Sequence, residues 1–297
     1  MVPALYRTLR LFWPGGLETR RNLNQLRRTQ WLSRHELEAL QLRRVQALVR
    51  HAYQNVPFYR QLYREAGIHP DDIQTLDDFT RLPVITRDDI DTHLDQFVDQ
   101  TFPRDRLVPV ETGGSTGRPL RFYVTPSFWW QNAANWFRVR EWHGVREGEK
   151  IAWFWGAAQD MPAWSWRRRL RSALMQERYL SAFDVSEETM HRFARLLTRW
   201  KPAMLKGYPS VVELFARFVI RHGYNQIRPR LIETTSEKLT QPQRDLLAEA
   251  FPGAVVADHY SSRELGTIAY QCETGEMLVC ADVRLLEIIA NGQPAPP

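Results

Sequence analysis

The stretch ETGGSTGRPL, residues 111–120, decides the fold class, and its residues admit three readings. Gly113, Ser115 and Gly117 spell the G-x-S-x-G elbow that presents a nucleophilic serine; the run has the make-up of a glycine loop that cradles phosphate; and Gly/Ser/Thr clusters are ordinary turn chemistry. An elbow is a strand, a sharp turn and then a helix, whose N-terminus and nearby amides serve the oxyanion. Here Pro119 drives Arg118 toward extended geometry, and LRFYVT (120–125) alternates Leu120, Phe122 and Val124 against Arg121, Tyr123 and Thr125, the pattern of a strand. A Walker loop requires Gly-Lys-Ser/Thr opening a helix, whereas Gly117 is followed by Arg118-Pro119. Two readings remain. One is a plain hairpin turn. The other is a glycine loop between two strands, in which Thr112, Ser115 and Thr116 supply hydroxyls and Gly113, Gly114 and Gly117 let backbone amides approach a polyphosphate.

Outward from the loop the rhythm is that of an α/β chain. RLVPVE leads in, Thr125-Pro126 starts a helix ending near Gly144, and KIAWFWG follows as a strand apolar on both faces. A helix after Ser186, a strand AMLKG, a helix from Ser210 to about His222, a strand RLIETT, a helix after Pro242 and a strand AVVAD continue the alternation, which argues for largely parallel sheets flanked by helices. The tail EMLVCADVRLLEII reads as a β-hairpin. On the N-terminal side, residues 31–68 have helical spacing, with Leu37, Leu40, Val45, Leu48 and Val49 on one face. Asn55-Val56-Pro57 breaks that helix, Gly67 ends the next, and Thr86 caps another with Asp88 and Asp89 in its first turn.

The chain has 297 residues, 43% hydrophobic and 12% aromatic, enough for one large domain or two ordinary ones, so disorder is excluded as the general state. Lys plus Arg exceed Asp plus Glu by 40 to 34, but the excess is scattered, which suits an anionic small substrate and gives no indication of nucleic acid. Two cysteines, Cys272 and Cys280, make neither a disulfide framework nor a close zinc-ribbon pair and point to a reducing compartment. No stretch reaches the ~18 apolar residues of a membrane span. Arg7 and Arg10 interrupt the apolar part of MVPALYRTLRLFWPGG, so the expectation is a cytoplasmic protein whose basic, aromatic N-terminus touches a membrane surface at most.

TGGSTGRPL resembles the phosphate loop of the adenylate-forming superfamily. Three further stretches agree with that superfamily's phenylacetate-CoA ligase and capsular-polysaccharide ligase-like branch: HAYQNVPFYRQLYREAGI with LPVITRDDI, TTSEKL (234–239), and DHYSSRELGTIAYQCE (258–273). In order and spacing they cover nearly the whole chain. The resemblance implies an α/β adenylation domain, with residues 1–90 its N-terminal helical segment and 91–297 its core. It also implies an ATP- and Mg²⁺-dependent activation of a small carboxylic acid to an acyl-adenylate, handed to a thiol, CoA in the first instance. Glu264 matches the Mg²⁺-holding glutamate and, with Thr116 of the loop, takes the catalytic role; the bland reading of Glu264 is a surface helix glutamate. Thr112, Gly113, Gly114, Ser115, Thr116 and Gly117 would hold phosphates. Ser236, Glu237, Lys238, Asp258, His259, Tyr260, Ser261 and Ser262 would line the nucleotide, with Tyr260 on the adenine. Gly207 and Tyr208 would border the acyl pocket, although Tyr208 also suits a core and a lone His such as His259 is often structural. A homodimer fits this class.

The departures carry expectations too. Ser261 stands where the motif usually has Gly, and Leu120 where many relatives carry a Lys. Cys272 matches a metal-binding Cys of some relatives, but Leu278 occupies the place of its His partner, so no zinc is expected there. The ribose-binding aspartate and the lid with its catalytic Lys would lie beyond Pro297, so the chain reads as truncated before the lid. Two other classes stay in view: a non-catalytic or AMP-transferring nucleotide-binding protein of surface polysaccharide biosynthesis, and, more distantly, a serine hydrolase using Ser115.

Overall fold

The computed structural model describes residues 15–112, 119–156, 172–290 and 293–294. In chain order they form α1 (Gly16–Thr29), α2 (Arg34–Asn55), α3 (Pro57–Glu65), α4 (Arg87–His93), β1 (Val108–Glu111), β2 (Arg121–Val124) and α5 (Pro126–Glu141). After these come β3 (Ile151–Trp155), β4 (Glu177–Ser181), α6 (Glu187–Trp200), β5 (Met204–Gly207), α7 (Pro209–His222), β6 (Leu231–Thr235) and α8 (Gln241–Ala250). The last strands are β7 (Val255–Ser262), β8 (Gly266–Gln271), β9 (Met277–Val279), β10 (Ile289–Ala290) and β11 (Gln293–Pro294). They group into two compact units, Met1–Leu23 with Asn132–Cys280, and Asn24–Gln131 with Ala281–Pro297. The division expected at residue 90 falls inside the second of these.

In the unit around Asn24–Gln131, local chemistry sets the helix ends. Ser33 accepts the Glu36 amide while Glu36 accepts the Ser33 amide at 2.8 Å, a reciprocal cap that starts α2. Pro57 opens α3, and Thr86 with Asp89 caps α4 in the same reciprocal way. The buried stripe of α2 is Val45, Val49 and Ala52, of which Val45 and Val49 pack with Tyr63 and Ile73, whereas Leu48 is 64% exposed. The expected face was thus about one residue too wide. β1 and β2 are an antiparallel hairpin in which Glu111 pairs Arg121, their side chains 2.7 Å apart.

In the other unit a seven-stranded sheet has the order β4-β3-β5-β6-β7-β8-β9, the first five strands parallel and the last two pairings antiparallel. Strands β5 and β6 are buried along their whole length, and α6, α7 and α8 supply Phe193, Leu197, Val212, Phe215, Val219 and Leu247 to one core with Phe154, Leu205 and Ile232. Continuous apolar strands of this kind are what a parallel sheet covered by helices requires. Two sequence readings need correction. β4 went unread because ERYLS buries only Leu180 fully. The tail is not one hairpin: β9 pairs with β8 through a turn at Gly275 (φ +88°), and beyond Cys280 the pairing is Ile289–Ala290 with Gln293–Pro294.

Candidate functional site

Parallel α/β sheets bind ligands outside the carboxyl ends of their strands, where the chain turns into helices and loops. Three of the sequence motifs meet there. β5 ends at Gly207, followed by Tyr208 and by Pro209 at the first position of α7. β6 ends at Thr235, and Ser236 takes the left-handed conformation, φ +72°, which costs a residue with a Cβ and is often kept where function needs it. Glu237 then turns back: its carboxylate accepts the Ser210 amide and hydroxyl, each at 3.0 Å. A negative group on the first amides of α7 is favourable, and it ties LKGYPS to TTSEKL. Thr235 makes the second tie, since its hydroxyl donates to the His259 carbonyl at 2.8 Å and lies 3.2 Å from the Ser261 hydroxyl. LKGYPS, TTSEKL and DHYSSREL therefore share one edge.

The strand period sorts the residues of β7. Ala257 and His259 are buried, while Tyr260 on the other face is 56% exposed, an aromatic surface open to a planar ligand. Asp258 is half-buried; burial raises its carboxyl above the ordinary value, against the pull of the His259 amide and Arg244. A bulge falls between Tyr260 and Ser261. Ser262 accepts the Leu265 amide at 3.1 Å and closes a turn over 263–265 that ends at Gly266, φ +73°, where a Cβ would stand 2.1 Å from the Asn132 Oδ1. Glu264 sits on this turn, exposed, with neither hydrogen bond nor ion pair among the described residues. It is a glutamate of a β-turn, not of a surface helix. Lys238 is exposed as well.

Other expected residues do different work. A Cβ at Gly207 would lie 2.5 Å from the Phe154 carbonyl oxygen, so glycine there lets β5 approach β3. Tyr208 stacks on Trp155, centroids 4.7 Å apart at 14°. His259 turns inward, its Nε2 3.0 Å from the Thr267 hydroxyl and its Nδ1 3.2 Å from Glu233. Thr112 donates its amide to the Leu120 carbonyl and accepts the Leu120 amide on its hydroxyl, both at 2.9 Å. The first bond continues the β1–β2 ladder and the second ties the Thr112 side chain across it, so G-x-S-x-G is carried between two strands and not between a strand and a helix. Gly113, Gly114, Ser115, Thr116 and Gly117 lie outside the described residues, as does the basic N-terminal stretch 1–14. Among the described residues no helix is long and apolar enough to cross a membrane, and both cysteines are free. A cleft of 310 Å³ lined by Tyr179, Ser181, Asp184, Thr189 and Arg192 contains none of the motif residues.

Sequence reasoning missed a buried ionic cluster beneath this edge. Glu233, fully buried in β6, accepts from Lys206 of β5, from Trp136 Nε1 at 3.0 Å and from the Tyr270 hydroxyl at 2.8 Å. Burial alone would push the Glu233 carboxyl up; the charges of Lys206 and His259 outweigh it and hold it well below the carboxylate range. Burial lowers both the Lys206 ammonium and the His259 imidazole, against the attraction of Glu233. The Arg140 guanidinium lies 3.5 Å from the Trp136 ring centroid. The signal was present in the sequence: the strand segments MLKG and LIETT are apolar runs with one charge each, of opposite sign, and they pair in register at Lys206 and Glu233.

No family model matches the chain. It is 26% identical over 251 residues to Protein CapK of Staphylococcus aureus, a match covering 82% of this chain and 54% of CapK. It is 39% identical over 87 residues to the phenylacetate-coenzyme A ligase of Escherichia coli (strain K12), covering 28% of this chain and 19% of the ligase. The fold matches 2-hydroxyisobutyryl-CoA ligase solved with 2-HIB-AMP and CoA, TM-score 0.73 at 23% identity, over 89% of this chain and 58% of the ligase chain. The chain thus has the α/β fold of that ligase and is similar to the branch its motifs resemble. It spans about half the length of CapK and a smaller share of the phenylacetate-CoA ligase.

Proposed function

We propose that this chain carries the nucleotide- and acid-binding core of an AMP-forming acid–thiol ligase of the phenylacetate-CoA ligase type. The observation that carries the reading is the convergence at one sheet edge of LKGYPS, TTSEKL and DHYSSREL through the Ser210–Glu237 and Thr235–Ser261 contacts. The similarity to phenylacetate-CoA ligases and the shared fold support it.

In this reading Tyr260 offers its exposed face to adenine, and Asp258 and Ser236 border the base and ribose. Glu237 orients Ser210 and the mouth of the acyl pocket, with Tyr208 fixed by its stack on Trp155. Residues 112–117 hold the phosphates, and Thr116 is the catalytic hydroxyl of the loop. Glu264 fits a Mg²⁺ ligand: an exposed carboxylate with no competing partner among the described residues leaves its oxygens for a hard cation that keeps several waters. When bound, Mg²⁺ neutralises phosphate charge. The substrate carboxylate attacks the α-phosphorus, pyrophosphate leaves, and the thiolate of CoA then displaces AMP from the acyl carbonyl. No protein nucleophile forms a bond in either step. The chain's residues contribute position and charge. His259 serves as a strut for β7 and not as a base, since both its ring nitrogens face buried groups. With ATP, an acid and CoA as substrates the protein works in the cytoplasm.

The test is pyrophosphate release from ATP by the complete gene product across aryl, aliphatic and sugar acids. Acid-dependent release supports the ligase. Turnover of ATP to ADP and phosphate sinks it, and Mg-ATP binding without release under any acid favours a non-catalytic nucleotide-binding protein.

A further inference from the structure

A second cluster of ligand-type side chains lies on α6 and α7, and none of its members belongs to the nucleotide set. Glu187 and His191 are four residues apart on α6, which puts them on one face a single turn apart. His222 closes the last turn of α7. One carboxylate oxygen of Glu187 and one ring nitrogen of each histidine lie within 4.8 Å of one another.

The local sequence builds this arrangement. Ser186 accepts the Thr189 amide and starts α6, so Glu187 stands in its first turn. Gly223, φ +67°, ends α7 and lets the Tyr224 amide reach the Val219 carbonyl at 3.0 Å, a chain reversal that returns the tyrosine to the helix. The Tyr224 hydroxyl then stands 2.8 Å from His191 Nδ1. Phe218 packs against both imidazoles, 4.7 Å from His191 and 4.3 Å from His222 between centroids, and fixes their planes.

The relation between Glu187 and His222 is the telling one. His222 Nε2 stands 3.3 Å from Glu187 Oε1, yet that nitrogen is shielded from solvent and makes no hydrogen bond. Two atoms that face each other this closely without a hydrogen bond suit a shared cation between them. Two ligands each about 2.0–2.1 Å from a tetrahedral zinc stand about 3.4 Å apart. The spacing fits.

We propose that Glu187, His191 and His222 form a binding site for a zinc-class divalent cation, which ties the first turn of α6 to the last turn of α7. Two imidazoles and one carboxylate select a borderline metal, because Mg²⁺ and Ca²⁺ take oxygen sets. Glu187, with its side chain 67% exposed, is the entry path from solvent. The Tyr224 contact orients the His191 ring, as outer-shell partners of metal-bound histidines do. Three protein ligands leave a fourth position for water.

The experiment uses the 297-residue chain without an affinity tag, stripped with chelator, and titrated with Zn²⁺ in a calorimeter. One equivalent binds, and zinc at about 100 times its Kd raises the melting temperature by several degrees. Glu187→Gln, an exposed change that leaves the fold intact, abolishes both effects, as does His222→Gln; Tyr224→Phe weakens binding by about 10- to 100-fold. X-ray absorption shows only nitrogen and oxygen neighbours near 2.0 Å, and Cys272→Ser leaves the spectrum and the stoichiometry unchanged. Undiminished zinc binding in Glu187→Gln, a sulfur neighbour at about 2.3 Å, or no stoichiometric binding overturns the proposal. In the last case the cluster is an ordinary His–Glu ion pair.

Discussion

Glu233 and Glu264 are the same residue in opposite situations. Glu233 is wholly buried in β6, its two oxygens taken by Lys206, Trp136 and Tyr270. Glu264 stands on the turn between β7 and β8, exposed and without a partner among the described residues. A saturated carboxylate has nothing left for a ligand and works only on the protein's own stability. A free one contributes nothing to the fold that solvent does not already supply, and its oxygens are open to a cation. In the proposed reading the pair separates what holds the sheet edge in place from what acts on a substrate, and each can be removed without touching the other.

The largest effect belongs to the buried partner. Glu233→Gln removes the main counter-charge of the Lys206 ammonium, which is buried beside Trp136, and breaking such a pair costs about 3–5 kcal/mol of folding free energy. The double change Lys206→Met with Glu233→Gln should recover much of that loss. Denaturant unfolding of the two variants measures the difference, and a loss below about 1 kcal/mol for Glu233→Gln would show that the cluster is not a structural strut. The pH dependence has a definite sign. Glu233 has a lowered carboxyl, so its contribution is complete above the ordinary value of 4.5 and is lost as pH falls toward the depressed one. His259, whose imidazole is also lowered, contributes in full above 6.5 and in the same direction. Melting temperature should therefore fall with acid, and the Glu233→Gln slope should be shallower.

Glu264→Gln reverses the pattern. The melt should be unchanged, while pyrophosphate release in Mg²⁺ falls roughly 100- to 1,000-fold, the usual effect of removing one well-placed electrostatic contact in a transition state. If kinetics across a Mg²⁺ titration do not move, the free carboxylate is only surface.

How far the sequence predicts this contrast depends on the kind of signal. Hydrophobic period and caps are local, so the strands around KIAWFWG, AMLKG and RLIETT and the helices after Ser186 and Pro209 are legible in it. The motif residues on the edge are legible as types, through their resemblance to a known phosphate- and adenine-binding set. What each side chain touches depends on register between strands distant in sequence. His259 and Tyr260 are neighbours in one motif, yet the pleat sends one inward to Glu233 and leaves the other exposed. Lys206 and Glu233 become a pair only through the alignment of β5 with β6. β4 lacked a signal altogether, because a strand at the sheet's end with one buried residue carries neither alternation nor a continuous apolar run.

Gly207 tests whether an edge residue is pocket or packing. Its Cβ position is 2.5 Å from a backbone oxygen and 2.6 Å from the Phe154 Cβ, neither of which can swing aside. Gly207→Ala should cost about 1–3 kcal/mol, as overpacking does, in a chemical unfolding measurement. A variant of undiminished stability that prefers a different acid would return Gly207 to the acyl pocket.

The smallest effect is expected at Ser236, and it has the opposite sign. Holding a residue with a Cβ at φ +72° costs about 1–2 kcal/mol relative to glycine's tolerance of that region. Glycine itself loses about 0.5–1 kcal/mol through its freer unfolded chain. Ser236→Gly should therefore stabilise the fold by up to about 1 kcal/mol while it weakens ATP binding, because the strained turn places its side chain at the strand end beside the Thr235–Ser261 contact. Serine at this position would then be retained against stability, as residues that face a ligand are. Paired unfolding and nucleotide titrations read both quantities. A variant that is more stable and binds ATP as tightly as before would assign Ser236 to the turn alone and move the nucleotide contacts to Asp258 and Tyr260; a less stable variant would show that the left-handed turn is held by interactions of the serine hydroxyl and carries no strain.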